Sequence, residues 1–112
     1  MELVVEERSG GVTRAALVGR MDIEGAQAID EPFRVLSRLR RALIVDLSAV
    51  TFMASMGLRT LMVAARTQSD LGGKMVLAGP QAPVAKVLTE SGIGEIIGVY
   101  PTVDAAVAAI AP

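Results

Sequence analysis

The sequence predicts an α/β domain, a small mixed sheet of about five strands with about four helices packed on it. Three observations lead there. Two short β-patterned segments at the start flank Ser9-Gly10-Gly11; Ala42–Val45 and Lys74–Ala78 form nearly continuous apolar runs that suit strands covered on both faces; and the stretches after Asp22, Ser55 and Pro83 place apolar residues three and four apart. A hairpin pairs antiparallel, whereas strands joined by helical crossovers pair in parallel, so the sheet is expected to be mixed.

Leu3–Glu7 and Val12–Val18 read as the first two strands, joined by glycines that supply the positive backbone angles of a hairpin. Gly19-Arg20-Met21-Asp22 then leaves the sheet, with Asp22 as the N-cap of the next helix. Ile23–Leu39 is helical in pattern, because Ala26, Ile29, Phe33 and Leu36 keep one face apolar. Pro32 lies inside it, lacks an N–H and crowds the carbonyl four residues earlier, so a kink or a restart capped by Asp30 is expected. Arg38, Arg40 and Arg41 at its end are cations that the helix dipole favours.

Ala42–Val45 is the central strand, with Asp46 and Ser48 as turn formers that end it. Ser55 falls where an N-cap belongs, and Leu58, Leu61, Met62 and Ala65 form the core stripe of the helix it opens. Leu71-Gly72-Gly73 closes that helix, and Lys74–Ala78 is the next strand, ended by Gly79-Pro80. Pro83 suits a first helical turn, Val84, Val87 and Leu88 supply the stripe, and Ser91-Gly92 stops the helix. Glu95–Tyr100 reads as the last strand, and Val103, Val107 and Ile110 line a short final helix. Residues 1–112, with no linker or repeat, read as one domain.

Composition removes most function classes. Histidine and cysteine are both absent, which excludes disulfides, thiol catalysis, a Ser-His-Asp triad, a histidine phosphocarrier and the usual zinc sites. The formal net charge of −1 and the 3% aromatic content leave neither a basic surface nor a stacking platform for nucleic acid. No apolar run approaches the ~20 residues of a membrane span, and Met1-Glu2-Leu3 begins acidic rather than as a signal peptide, so a cytoplasmic location is expected.

Candidate chemistry gathers around Ser55. A serine at a helix start is usually only a cap, worth about 1 kcal/mol, but this one follows Val50, Phe52 and Met53 and precedes Met56, an unusually apolar connection that suits a partner's landing site. Met56, Arg59, Val63 and Arg66 recur on a second face of the same helix and mix apolar groups with guanidiniums, as interfaces do; the bland alternative is that they cover a neighbouring helix and solvate two arginines. Asp22 and Asp46 are expected near Ser55, both following strands at one edge of the sheet. With no third acidic residue there, a metal site is not expected. Leu71-Gly72-Gly73-Lys74-Met75 lacks the earlier glycine and the following Ser or Thr of a phosphate-binding loop. With no base beside Ser55, an enzyme is not expected either.

These residues carry a family resemblance. Leu17-Val18-Gly19-Arg20-Met21-Asp22 is similar to the glycine and aspartate turn, and Asp46-Leu47-Ser48-Ala49-Val50-Thr51-Phe52-Met53, followed by Ser55-Met56-Gly57-Leu58, resembles the central signature, of STAS domains of the anti-sigma factor antagonist type. The likeness extends through Val84, Leu88 and Ser91-Gly92 to Ala105-Ala106-Val107. It implies that Ser55 is a phosphoacceptor, and that Asp22, Asp46 and the segment Thr51, Phe52, Met53, Ala54, Ser55, Met56 and Gly57 shape its neighbourhood.

The same resemblance implies the partners: an anti-sigma factor that is also a serine kinase with a histidine-kinase-like ATP-binding fold, and a metal-dependent serine phosphatase that resets the switch. The chain itself would need no cofactor, since the kinase brings the ATP. The family often has aspartate before the phosphorylated serine and Ser or Thr after it, where Ala54 and Met56 stand here. A second implied role is a STAS subunit of a phospholipid-transport ABC ATPase assembly, in which an equivalent surface braces an ATP-binding subunit.

Overall fold

The computed structural model describes residues 1–111. Five strands form one sheet in the order β1-β2-β3-β4-β5: Glu2–Arg8, Val12–Met21, Ala42–Met53, Lys74–Ala78 and Val99–Tyr100. The hairpin pair β1/β2 is antiparallel and the other three pairings are parallel, as the crossover pattern requires. Gly10 and Gly11 make the hairpin turn with φ of +80° and +76°, a region that other residues enter at a cost.

The helices are α1 (Ile23–Leu39), α2 (Ser55–Asp70), α3 (Ala82–Ser91) and α4 (Val103–Ile110). Alternation along β3 decides where they pack. Leu43, Val45 and Leu47 point to one face, where Ala26, Ile29, Phe33 and Leu36 of α1, Leu61 and Ala64 of α2, and Val84 and Leu88 of α3 complete the main core. Ile44 points to the other, where Val12, Val76 and Ala78 meet Ala106 of α4. Fully burying a side chain such as Phe33 or Leu61 contributes about 1.5–3 kcal/mol, which fixes α1 and α2 side by side over the sheet.

Four expectations need correction. The central strand does not end at Asp46 but runs to Met53, and β2 does not leave the sheet at Gly19 but continues to Met21. Asp46 can lie within a strand because Arg14 of β2 pairs with it at 2.8 Å and the Ser48 amide donates to it at 2.9 Å; two register shifts between the strands then keep the pairing in step. Helix α1 runs through Pro32 without a restart, and Asp30 is not a cap; it lies 3.5 Å from Arg34 one turn on. The last strand is only Val99–Tyr100, because Ile93–Glu95 forms a 3-10 turn that buries Ile93, with Ile97 buried just beyond it.

Candidate functional site

The site is built where β2 and β3 end together. Met21 and Met53 are register partners, and the amide of Ala54 donates to the carbonyl of Met21 at 3.0 Å. From there the two chains diverge, Asp22 capping α1 and Ala54 starting α2. Asp22 accepts from the Gly25 amide at 2.8 Å, the expected N-cap bond. That bond holds its carboxyl below the usual carboxylate range, and Arg20, 3.6 Å away, reinforces the effect.

Ser55 is not the N-cap. Ala54 holds that position in extended conformation, with no side-chain acceptor to give, and Ser55 is the first helical residue, exposed to solvent. The first amides of a helix have no intrahelical partners, so the Ser55 hydroxyl stands beside a locally positive helix end. Gly57 allows this start to sit close on the strands: a Cβ there would lie 2.5 Å from Sδ of Met53 and 2.8 Å from Cγ of Met21. Met53 is only 4% exposed. Met53 and Gly57 therefore shape the junction from beneath.

Asp46 is also corrected. It is buried in mid-strand, and about 20 Å of strand separates it from Met53, so it is not a neighbour of Ser55. Burial alone would raise its pKa, but bonds from Ser48 and the Arg14 guanidinium outweigh that and hold the carboxyl below its usual range. Among the described residues no cluster of three potential ligands could hold a metal ion.

Thr51 and Phe52 are exposed near the end of β3. The Arg20 guanidinium stacks 4.4 Å from the centre of the Phe52 ring, so this apolar tip carries a charge on its face. On α2, Met56, Arg59, Val63 and Arg66 are all exposed, and the core stripe is centred on Gly57, Leu61, Ala64 and Gln68, with Leu58, Met62 and Ala65 half-buried at its edge. A shallow groove of about 120 Å³ runs between α1 and α2, with Phe33 and Ala64 at its floor and Met56, Arg59 and Val63 on its wall.

A second apolar groove, of about 170 Å³, opens on the other side of Arg59, between Leu58, Met62, Ile93 and Ile96. Ile96, at 68% exposure the most exposed large apolar side chain described, was hidden in the sequence by its place in a supposed strand. The glycines at 92, 94 and 98 were the available signal that this stretch turns instead. No helix among the described residues is long and apolar enough to cross a membrane.

Several solved structures share this architecture. An anti-sigma factor antagonist from Mycobacterium paratuberculosis is 26% identical, with 97% of this chain and 92% of that chain covered and a TM-score of 0.88. The Bacillus cell fate determinant SpoIIAA in its phosphorylated form is 19% identical over 96% of this chain and 98% of that chain, with a TM-score of 0.72. The STAS domain of a SulP transporter from Vibrio cholerae is 27% identical over 84% and 76%, with a TM-score of 0.66. No curated protein sequence matches the chain. The sequence matches the STAS domain family over residues 4–106, nearly its whole length, and with the five-stranded sheet and four helices in place the chain belongs to that family.

Proposed function

We propose that this chain is an anti-sigma factor antagonist that works as a phosphorylation-controlled protein–protein switch. The observation that carries the reading is the exposed hydroxyl of Ser55 at the first turn of α2, at the head of an exposed face of Met56, Arg59, Val63 and Arg66. The likeness to the Mycobacterium antagonist and to phosphorylated SpoIIAA supports it. Unmodified, the face binds an anti-sigma factor that is also a serine kinase, and the sigma factor is released.

The kinase then transfers the γ-phosphoryl group of ATP to the Ser55 oxygen; the hydroxyl proton passes to a kinase base and ADP leaves. Burying the resulting charge against an apolar partner costs about 3 kcal/mol, which lowers affinity roughly a hundredfold. A metal-dependent phosphatase restores the hydroxyl by adding water across the phosphoester and releasing phosphate. Incubation with ATP and the cognate kinase is expected to add one phosphate to the wild type and none to Ser55→Ala. Phosphate appearing on another residue in both would end the assignment of Ser55.

The second reading is a STAS subunit that braces the ATPase of a transport assembly through the same face. It is favoured by the likeness to a transporter STAS domain and by Ala54, which places no carboxylate beside the serine. Under it, partner binding does not respond to charge at Ser55.

A further inference from the structure

We propose that Arg59 is the internal counter-ion of the phosphorylated state: a phosphate on Ser55 draws the Arg59 guanidinium back along α2 and so takes it out of the partner-binding face. The inference rests on the reading of Ser55 as a phosphoacceptor and specifies how the modification alters the surface.

Ser55 and Arg59 are one turn apart on α2, both exposed, and residues at this spacing have Cβ atoms about 5–6 Å apart, within reach of an arginine side chain. Phosphate and guanidinium match in shape and charge and can form two parallel hydrogen bonds. What singles out Arg59 is that it is uncommitted. No carboxylate among the described residues lies within 4.0 Å of it, whereas Arg20 is 3.6 Å from Asp22 and stacked on Phe52, and Arg34 is 3.5 Å from Asp30. The first turn of α2 holds no acidic residue to compete for it.

Other charges near this end of the molecule do not substitute. Glu24 and Asp30 on α1 and Asp22 at its cap are acidic and oppose the phosphate. Beyond the second groove Glu90 pairs with Lys86 at 3.9 Å, and Glu95 is acidic too. Arg66 is two further turns along α2. Arg59 stands on the ridge between the two apolar grooves, so a partner covering either one meets its guanidinium. Partner and phosphate therefore compete for one cation, and modification removes an attraction as well as adding a repulsion.

The test uses the full chain with phosphoserine encoded at position 55, so that it needs no kinase. Its probe is the second ionisation of the phosphate, followed by phosphorus NMR against pH in the wild type, Arg59→Gln and Arg59→Lys. A nearby cation favours the dianion, so the wild-type midpoint is expected about half a pH unit below that of Arg59→Gln, roughly a threefold change in proton affinity, with Arg59→Lys between them. Equal midpoints in the wild type and Arg59→Gln would overturn the latch. That failure is separate from failure of the switch itself, which shows as partner capture indifferent to charge at Ser55.

Discussion

The Ala54 amide donates to the Met21 carbonyl at 3.0 Å, tying the residue before Ser55 to the strand that ends at the Asp22 cap. This bond joins the start of α2 to the strand end from which α1 departs. Charge placed on Ser55 is therefore presented to a partner by a fixed surface rather than by a mobile loop, and the first prediction is that Ser55→Asp unfolds at the temperature of the wild type while losing its partner. Thermal unfolding and capture on the same preparation check it.

Arg59 is exposed and bonded to nothing that holds the fold among the described residues, so Arg59→Glu is expected to shift stability by less than about 0.5 kcal/mol. Partner affinity should fall at least tenfold, because the change reverses a charge at the centre of the proposed contact. Titration of the captured partner against both proteins measures it.

Ala54 leaves α2 without a side-chain cap. Ala54→Asp is expected to stabilise the protein by about 1 kcal/mol by accepting a first-turn amide bond. In a domain of this size that raises the melting temperature by roughly 4 °C, read by calorimetry.

Pro32 is exposed in a continuous helix, so it gives no core packing in return for the amide it lacks. Pro32→Ala restores a donor to the Ala28 carbonyl and should stabilise the fold by about 1–3 kcal/mol in denaturant titration.

Asp46 contributes to the acid limb. Its carboxyl has a folded pKa below its unfolded value of about 3.9, so its contribution is fully present above that pH and is lost as pH falls through the lower, folded value. Arg14→Leu strips the buried carboxylate of its cation and should cost about 2 kcal/mol near neutrality. Asp46→Asn should flatten the fall in stability below pH ~4, as measured by melting temperature against pH.

The Lys74–Ala78 strand, the stripes of α1 and α3 and the exposed face of α2 were legible because their apolar pattern matches their burial, and the hairpin was legible from Gly10 and Gly11, since its first strand buries no residue. What was not legible is where long-range partners override local chemistry. Asp46 and Ser48 are turn formers in isolation, and here pairing with β2, with Arg14 against the Asp46 carboxylate, keeps them in the strand. Ser55 looks like a cap until the bond from Ala54 to Met21 puts the helix start one residue earlier. Pro32 should interrupt a helix, but Phe33 and Ile29, both buried in the main core, hold the helix on either side of it. Ile96 escaped because a 3-10 turn has no apolar period to read.

The proposed switch makes partner binding depend on charge at Ser55. The most direct test is affinity capture from extract of the native cell with Ser55→Ala and Ser55→Asp as baits, the bound proteins being identified by mass spectrometry. An anti-sigma factor kinase is expected to be held by the Ser55→Ala bait and lost from the Ser55→Asp bait. A transport ATPase, or any partner, held equally by both would contradict it.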